Sequence, residues 1–337
     1  MRAYVYERSG ETYALAMQER ANRRPGAGEV SVRVRAASLN YRDLVALRNK
    51  AGRDVGGRIP LSDGAGEVVA VGDGVTNVRP GDRVAGCFFQ TWESGPFEMS
   101  AHKNDLGGTL DGMLAEEVVL RAGGVVRIPS SYSFEEAACL PCAALTAWQS
   151  LVERAALKKG QTVLTLGTGG VSVFALQFAT AMGARVIVTS SSDEKLAKAK
   201  ALGGAETINY RTSPEWEKEV WRLTEGRGAD VVIEVGGPGT LGKSLASVAP
   251  GGTIALIGVL TGFGPPDTTL FPLMAKNANL CGIYVGSRMQ FEAMNAFLET
   301  QPLRPVIDRV FPFVDAAKAF DYLESGDHFG KIVVAID

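Results

Sequence analysis

Two different rhythms of apolar and polar residues run along the chain. Residues 28–38 (GEVSVRVRAAS) alternate between the two types, as do shorter runs near 66–71 and 115–120, and glycine turns separate these runs. Such alternation predicts a half-buried antiparallel sheet. The pattern then changes, and residues 133–136 (SFEE) form a capping box that predicts a helix over residues 137–152.

From residue 161 onward, short apolar runs alternate with amphipathic stretches. The runs read TVLTL, RVIVTS, DVVIEV, GGTIALIGV and LCGIYVG, and helical stretches follow the first three, at 171–182, 193–202 and near 239–248. Apolar strands alternating with helices are typical of a parallel sheet covered on both faces. The sequence therefore predicts an α/β protein with a doubly wound nucleotide-binding domain. The tail from Arg288 to GKIVVAID is expected to complete the first domain.

A glycine-rich turn, GTGGVS, follows the run TVLTL directly. Glycines at such a turn expose the backbone N–H groups of a helix N-terminus, where a diphosphate binds. Ser172 stands where the pattern G-x-G-x-x-G has its third glycine, and serine is small enough for the close helix–strand packing required there. Because the turn lies between a predicted strand and a predicted helix, we expect dinucleotide binding, with a purely structural turn as the alternative. The expected contacts are Gly167, Thr168, Gly169, Gly170 and Val171.

The end of the second apolar run bears on the choice of cofactor. An acid at this position would bind an unphosphorylated ribose, but VTSSSDEK has Ser190 there, followed by Ser191 and, in the next predicted helix, Lys195. Hydroxyl groups and a lysine would bind a 2′-phosphate, which an acid would repel. We therefore predict NADPH rather than NADH. In the alternative, Ser191 caps the helix together with Glu194, and Lys195 is a solvated surface residue.

Composition narrows the class of protein. The 337 residues suffice for two domains, and a chain that is 46% hydrophobic and 21% charged can bury a sizeable core. A net charge of −2 without basic runs argues against nucleic acid and anionic membranes as partners. Residues 160–184 carry no charge, but glycines in their middle favour a turn over a membrane span. No secretory signal is visible at the start, so we expect a cytoplasmic protein.

Four cysteines do not form a disulfide framework. Cys139 and Cys142 make a C-x-x-C pair, which could serve redox chemistry or a metal. A zinc site would need a second pair or nearby histidines, and the chain has only His102 and His328. Buried thiols at the start of a helix are therefore the favoured interpretation.

Six segments spread over nearly the whole chain form a combination that is specific, although each alone is not. They are AASLNYRD (36–43), PLSDGAGEVVAVGDGV (60–75), PGDRV (80–84), LPCAALTAW (140–148), GTGGVS (167–172) and HFGKIVV (328–334). Together they resemble the medium-chain dehydrogenase/reductase superfamily, and within it the zinc-free, quinone-oxidoreductase-like branch. The resemblance implies a GroES-like, mostly β catalytic domain over residues 1–125 and 288–337, with an inserted Rossmann domain over residues 126–287.

The resemblance also implies that no metal takes part. Zinc-dependent members carry a Cys, a His followed by Glu, and a second Cys as catalytic ligands, and the matching positions here hold Asn40, Ser62, Asp63 and Cys142. One thiol cannot provide the three protein ligands of a catalytic zinc. The four cysteines of a structural zinc lobe have no counterpart over residues 88–120.

Zinc-free members are implied to transfer a hydride from NADPH to quinones or to carbon–carbon double bonds conjugated to a carbonyl. Such acceptors need orientation and an oxyanion donor more than a metal. By the resemblance, the Asn40 amide donates to a developing enolate or binds the nicotinamide ribose. Tyr41 donates a proton or a hydrogen bond, or packs against the cofactor.

Further cofactor contacts are implied by the resemblance alone. Thr146 is expected near the nicotinamide and Tyr210 near the adenosine phosphate, although Tyr210 could be an ordinary strand-end aromatic. Lys331 is expected to reach the pyrophosphate or, alternatively, to be a surface cation. The backbone along the carboxyl ends of the sheet is expected to contribute at Gly236, Gly258 and Ile283.

The sequence and the resemblance also lead to expectations about the substrate, the partners and the oligomeric state. The substrate is expected to be a small apolar or conjugated carbonyl compound, with no nucleic acid or membrane partner. The resemblance implies a homodimer formed by pairing of the last Rossmann strand, around residues 280–285, since an apolar edge strand left unpaired there would be an aggregation risk. In the long segment 88–112, Trp92, Phe97 and Met99 line a cleft or, as we favour, anchor the loop. The alternative functions are an alcohol or aldehyde dehydrogenase and a non-catalytic NADPH-binding protein.

Overall fold

A computed structural model describes residues 1–337, the whole chain. The chain forms two compact units, a first unit of Met1–Leu145 with Val285–Asp337 and a second unit of Thr146–Tyr284. The first unit thus extends beyond the boundary expected at residue 125. The strand Val125–Arg127 pairs with Arg83–Gly86 of the same unit, which ties the chain after residue 125 to the first unit's sheet.

The secondary structure comprises fifteen strands and ten α-helices. The strands are β1 (Arg2–Ser9), β2 (Thr12–Glu19), β3 (Glu29–Ser38), β4 (Asp63–Val71), β5 (Arg83–Gly86), β6 (Glu117–Arg121), β7 (Val125–Arg127), β8 (Thr162–Leu166), β9 (Arg185–Ser190), β10 (Glu206–Asn209), β11 (Ala229–Glu234), β12 (Val248–Leu256), β13 (Asn279–Gly282), β14 (Ile307–Pro312) and β15 (Lys331–Ala335). The helices are α1 (Tyr41–Leu47), α2 (Phe134–Ala138), α3 (Leu145–Trp148), α4 (Gly170–Ala181), α5 (Asp193–Ala201), α6 (Trp216–Leu223), α7 (Pro238–Ser247), α8 (Phe271–Ala275), α9 (Arg288–Thr300) and α10 (Ala316–Ser325).

The first unit is built around a seven-stranded sheet. Its strand order is β14-β15-β3-β4-β5-β7, and β6 pairs with β3, while β1 and β2 form a separate hairpin. The strand β3 is antiparallel to β4 and to β6, which confirms the sheet that the alternating pattern predicts. The strand β15 pairs with β3, so the chain's tail completes this unit as expected.

The second unit contains a parallel six-stranded sheet with the order β10-β9-β8-β11-β12-β13. This is the strand order of a doubly wound dinucleotide-binding fold. Its core joins Leu164, Ile187, Val232 and Ile254 from the four central strands, each of them fully buried. Strands buried on both faces read as continuous apolar runs, which is why the sequence pattern finds them.

The helical region after the capping box departs from a regular helix. Ser133 caps α2 as predicted, accepting a hydrogen bond from the Glu136 N–H, while the Glu136 carboxylate accepts from the Ser133 N–H. The expected single helix is interrupted by π-helical turns at Leu140–Ala144 and Gln149–Arg154. Pro141 lies in the first π turn, where it has no N–H for the α-helical ladder.

Two expectations about apolar stretches are also resolved. The uncharged residues 160–184 form β8, the glycine turn and α4, and none of the helices has both the length and the apolar character needed to cross a bilayer. The edge strand expected at 280–285 is shorter than predicted. It ends at Gly282, although the Ile283 N–H still donates to the Leu256 carbonyl oxygen at 2.9 Å, and the left-handed conformation of Val285, with φ of 56°, keeps the chain from continuing as a strand through residue 285.

Candidate functional site

The glycine turn after β8 leaves its backbone accessible. Gly167 has φ of 73°, and neither Gly167 nor Gly169 has a heavy atom within 4 Å of where a Cβ would lie. Gly169 is the N-cap of α4 and provides no side-chain cap, so the first N–H groups of this helix lack a capping side chain. An open backbone at a helix N-terminus binds anions, and the turn therefore fits the diphosphate of a dinucleotide.

Ser172 joins α4 to β8. Its hydroxyl donates to the Leu166 carbonyl oxygen at 2.7 Å, and the side chain is buried. The hydrogen bond holds the start of the helix against the end of the strand. A serine thus serves the close packing for which the third glycine is used elsewhere.

Six of the expected cofactor positions lie at one edge of the second unit's sheet. Because parallel strands end at the same edge, the residues that end or follow these strands are brought together there. They are Gly167, Ser190, Tyr210, Gly236, Gly258 and Ile283. Thr146 does not belong to this group, since it lies buried in α3 with its carbonyl accepting from the Ser150 hydroxyl at 2.7 Å.

The loop after β11 is held by a carboxylate that sequence analysis missed. Buried Glu234 accepts from the N–H groups of Gly236 at 2.8 Å and Gly237 at 2.9 Å. It also accepts from the hydroxyls of Thr240 and Ser244. A single acid at the end of the apolar run DVVIEV is the signal that could have revealed this anchor.

Gly258 is required for a different reason. A Cβ at this position would lie 1.9 Å from the Val235 carbonyl oxygen, so the loop after β12 passes against the loop after β11. Only glycine allows this approach. The position is therefore fixed by backbone packing, and its contact with a cofactor stays a prediction.

The end of β9 corrects one part of the sequence interpretation. Ser190 is 3% exposed, and its hydroxyl accepts from the Ser192 N–H at 3.4 Å. The cap of α5 is Ser192, which accepts from the Lys195 N–H, so the alternative in which Ser191 caps the helix is wrong. Ser191 and Lys195 are half-buried, and Tyr210 after β10 is 41% exposed. Their contacts with a 2′-phosphate stay predictions.

In the first unit, the side chains of Asn40 and Lys331 form a direct hydrogen bond. The Lys331 ammonium donates to the Asn40 Oδ1 and to the Leu39 carbonyl oxygen, both at 2.6 Å. Lys331 is only 2% exposed, so the alternative in which it is a surface cation is wrong. Burial of the charge is compensated by Asp63, whose Oδ2 lies 3.9 Å from the ammonium.

Asp63 is fully buried and surrounded by donors. Its carboxylate accepts from the Ser62 hydroxyl at 2.7 Å and from the Cys142 N–H at 3.1 Å. Burial raises the pKa of Asp63, and the Lys331 ammonium acts against this rise. Lysine and aspartate thus form an internal ion pair, which we call the Asp63–Lys331 pair.

Asn40 and Tyr41 begin α1. The Asn40 N–H donates to the Asp43 carboxylate at 2.7 Å, and burial raises the pKa of Asp43 to about 6. The Tyr41 ring packs on the first unit's core, and the Lys50 ammonium lies 3.5 Å from its hydroxyl. Tyr41 is half-buried with its hydroxyl beside a cation, and its role as a donor or as packing against the cofactor stays a prediction.

The two cysteines of the C-x-x-C pair are ordinary thiols in this fold. Cys139 is buried and donates to the Glu135 carbonyl oxygen at 3.2 Å, and burial raises the pKa of its thiol to about 12. Desolvation also raises the pKa of the Cys142 thiol. Thiols with raised pKa values are poor nucleophiles, which supports the structural interpretation of the pair.

The aromatic residues of segment 88–112 pack on one another. The ring of Trp92 lies 5.0 Å from that of Phe97, and its N–H donates to the Gly95 carbonyl oxygen at 3.0 Å. These contacts anchor the loop, as we favoured. Met99 is instead 75% exposed.

Comparison with known proteins agrees with this architecture. Family models described as the alcohol dehydrogenase GroES-like domain and as zinc-binding dehydrogenase match residues 26–130 and 170–300. A zinc-type alcohol dehydrogenase-like protein of Schizosaccharomyces pombe is 45% identical over 317 residues, covering 92% of this chain and 91% of the relative.

Two solved structures extend the comparison. A candidate alcohol dehydrogenase from Sinorhizobium meliloti 1021 superimposes with a TM-score of 0.93 at 42% identity, covering 99% of this chain and 98% of the other. A quinone oxidoreductase from Pseudomonas syringae pv. Tomato DC3000 gives 0.81 at 30% identity, with 99% of each chain covered.

A GroES-like unit combined with a Rossmann unit defines a class of two-domain oxidoreductases. The chain belongs to the medium-chain dehydrogenase/reductase superfamily, as the family models and the 45% identical relative show.

The zinc in the names of some relatives has no fitting ligand set in this chain. The matching positions provide an amide, a hydroxyl, a carboxylate paired with lysine and a thiol of raised pKa. No group of three or more His, Cys, Asp and Glu side chains is arranged to hold a metal ion. A catalytic zinc needs three protein ligands, which these residues do not offer.

Proposed function

We propose that the chain is an NADPH-dependent, zinc-independent reductase of quinones or α,β-unsaturated carbonyl compounds. One observation carries the proposal: the positions of the metal ligands hold Asn40 and an internal Asp63–Lys331 pair. Conjugated acceptors are electrophilic without a Lewis acid, so an amide donor suffices to stabilise the charge that develops on their oxygen.

The residues of the chain have separate roles in this proposal. The glycine turn would hold the diphosphate of NADPH, and the bound cofactor would be the source of the hydride for the acceptor. The Asn40 amide donates to the oxygen that gains negative charge. A proton from the Tyr41 hydroxyl or from water completes the reduction.

The choice of NADPH rests on the end of β9. Ser190 replaces the acid that would bind a free ribose hydroxyl and repel a phosphate. Ser191 and Lys195 follow in the loop and in the first turn of α5, where hydroxyl and ammonium groups can bind a 2′-phosphate.

Alcohol or aldehyde oxidoreduction is the second candidate, favoured by the names of two relatives. Removing a hydride from an alcohol requires a stabilised alkoxide, which the zinc of a dehydrogenase provides. The present positions of Asn40, Asp63 and Cys142 offer no such metal. A non-catalytic NADPH-binding protein is the third candidate, and turnover separates it from both enzymes.

We also propose that the chain forms a cytoplasmic homodimer through β13. This strand is at the edge of the second unit's sheet, with one side unpaired. Exposed apolar side chains lie nearby in sequence, at Leu270, Phe271, Met274 and Tyr284. Light scattering at micromolar concentration should give twice the chain mass, and a monomer mass would contradict the dimer.

An acceptor screen tests the function. NADPH oxidation is followed with quinones, enones, enals and enoyl thioesters, and reduction of NADP⁺ is followed with alcohols. We expect turnover of at least one conjugated acceptor and none of the alcohols. Turnover of alcohols alone would favour the second candidate, and binding of NADPH without any turnover would favour the third.

A further inference from the structure

Only the NH₂ group of the Asn40 side-chain amide is available to a ligand. Lysine has three N–H donors and no acceptor, so the Lys331 ammonium can bond only the oxygen of the Asn40 amide. The 2.6 Å contact therefore identifies the atom that faces Lys331 as Oδ1, and the opposite atom of the amide as Nδ2. The NH₂ group is left as the end that can meet another molecule.

That NH₂ group is buried and only weakly satisfied within the protein. An interaction with the Asn40 side chain lowers the pKa of Asp63, so the Nδ2 group faces that carboxylate, but it makes no hydrogen bond of normal length and angle. A buried donor without a partner is unfavourable unless a ligand supplies the acceptor. The chemistry that satisfies it is an oxygen bearing partial negative charge.

We propose that Lys331 is a positioning residue that holds the Asn40 amide as an obligate hydrogen-bond donor to the acceptor's carbonyl or quinone oxygen. Asp63 supplies the counter-charge that allows a lysine to be buried there. This inference rests on the proposed function, because it assigns the oxygen that the amide meets.

The inference replaces the expectation that Lys331 binds the pyrophosphate. Two of the three ammonium N–H groups are already used, by Asn40 and by the Leu39 carbonyl oxygen. The charge is already compensated by Asp63 at 3.9 Å. A lysine that serves an external diphosphate would instead keep its donors and its charge available.

The test uses charge-balanced variants, so that no buried charge is left unpaired. Lys331→Met combined with Asp63→Asn removes the ion pair and keeps an acceptor for the Cys142 N–H. Asn40→Ala removes the amide. The matched control is Lys318→Met with Asp315→Asn, an ion pair of the same unit at 2.8 Å in which Lys318 is exposed and Asp315 half-buried.

Three measurements distinguish positioning from binding. Asn40→Ala should lower kcat about 100-fold, as loss of one oxyanion donor does. The Lys331→Met/Asp63→Asn variant should lower kcat about tenfold, and the triple variant should match Asn40→Ala, because Lys331 acts through Asn40. The Kd for NADPH, from fluorescence titration, should change by less than about twofold in all of them.

Several results would overturn the inference. A kcat of the charge-balanced variant equal to that of the control would do so, as would a triple variant whose loss is the product of the separate losses. A tenfold rise in the Kd for NADPH at unchanged kcat would restore the pyrophosphate role. If the unaltered protein reduces no conjugated acceptor while it binds NADPH, the proposed function itself fails, and the inference fails with it.

Discussion

The glycine turn of the second unit and the Asp63–Lys331 pair of the first unit differ in whether their polar groups are already bonded within the protein. The turn presents bare backbone, with no heavy atom within 4 Å of the Cβ position of Gly167 or Gly169. The pair is closed, since Lys331 and Asp63 are both buried and each is bonded by protein groups. The turn can therefore bind an external anion, whereas the charges of Asp63 and Lys331 are already compensated by protein groups.

This difference predicts two kinds of response to substitution. Added bulk at the turn should weaken cofactor binding and leave folding nearly unchanged, because the space beside the backbone is empty. Removal of one charge from the pair should mainly lower the free energy of unfolding, because the remaining charge is buried without a partner.

The largest effect is expected for Lys331→Met. Breaking a buried ion pair by removing one partner lowers the free energy of unfolding by about 3–5 kcal/mol near neutral pH. Without Lys331 the pKa of Asp63, already raised by burial, should rise further. A carboxyl group whose folded pKa is raised loses its stabilising contribution as the pH rises through that value. Chemical denaturation should therefore show a larger loss at pH 8 than at pH 5.

The double variant with Asp63→Asn is the control for this prediction. It removes the buried unpaired carboxylate and should recover more than half of the lost stability at pH 8. Equal losses at both pH values, or a double variant as unstable as the single one, would show that the pair does not govern stability.

The next effect is expected for Gly169→Val. Gly169 has φ of −78° and ψ of −179°, which any residue can adopt, and the side chain would enter open space. The Kd for NADPH should rise about 100-fold, or about 2.7 kcal/mol, because the valine occupies the space of the diphosphate. The free energy of unfolding should change by less than about 1 kcal/mol. Calorimetric titration and denaturation measure the two quantities.

Gly264→Val is the matched control. Gly264 also has open space around its Cβ position and lies outside the glycine turn. It should leave the Kd for NADPH unchanged. Similar weakening by both variants would show that the turn is not where the cofactor binds.

A smaller effect is expected for Lys195→Ala. Loss of one ammonium contact to a 2′-phosphate should raise the KM for NADPH about tenfold and leave that for NADH unchanged. Lys198→Ala, in the same helix and paired with Glu194 at 2.9 Å, is the control. A protein that shows no preference for NADPH before substitution would disprove the cofactor assignment.

The smallest effect is expected for Ser172→Ala. It removes the hydrogen bond to the Leu166 carbonyl oxygen and should lower the free energy of unfolding by about 1 kcal/mol. The Kd for NADPH should stay within about twofold, because the hydroxyl faces the strand. An unchanged stability would mean that this bond does not hold α4 to β8.

The elements of both units could be predicted because their signals are local. The parallel strands of the second unit read as apolar runs, and Ser133 and Glu136 reveal the start of α2 three residues apart. The errors are also local in origin. Ser191 and Ser192 are adjacent and chemically alike, so only the backbone geometry shows which one caps α5.

The first unit's charge cluster could not be predicted from any local pattern. Asn40 and Lys331 are 291 positions apart, and only the pairing of β15 with β3 brings them together. In the sequence, Lys331 is a cation at the start of a short strand, which is usually a surface position. The same holds for Asp63, which the family resemblance identifies only as a residue at one of the positions that hold metal ligands in zinc-dependent members.

The most direct test of the account is the steady-state rate of NADPH oxidation with the best conjugated acceptor, before and after exhaustive removal of metal by a chelator. We predict the same kcat in both preparations and no increase on addition of zinc. Loss of activity on chelation and its recovery with one equivalent of zinc would contradict the central claim that amide and backbone groups, without a metal, support the reduction.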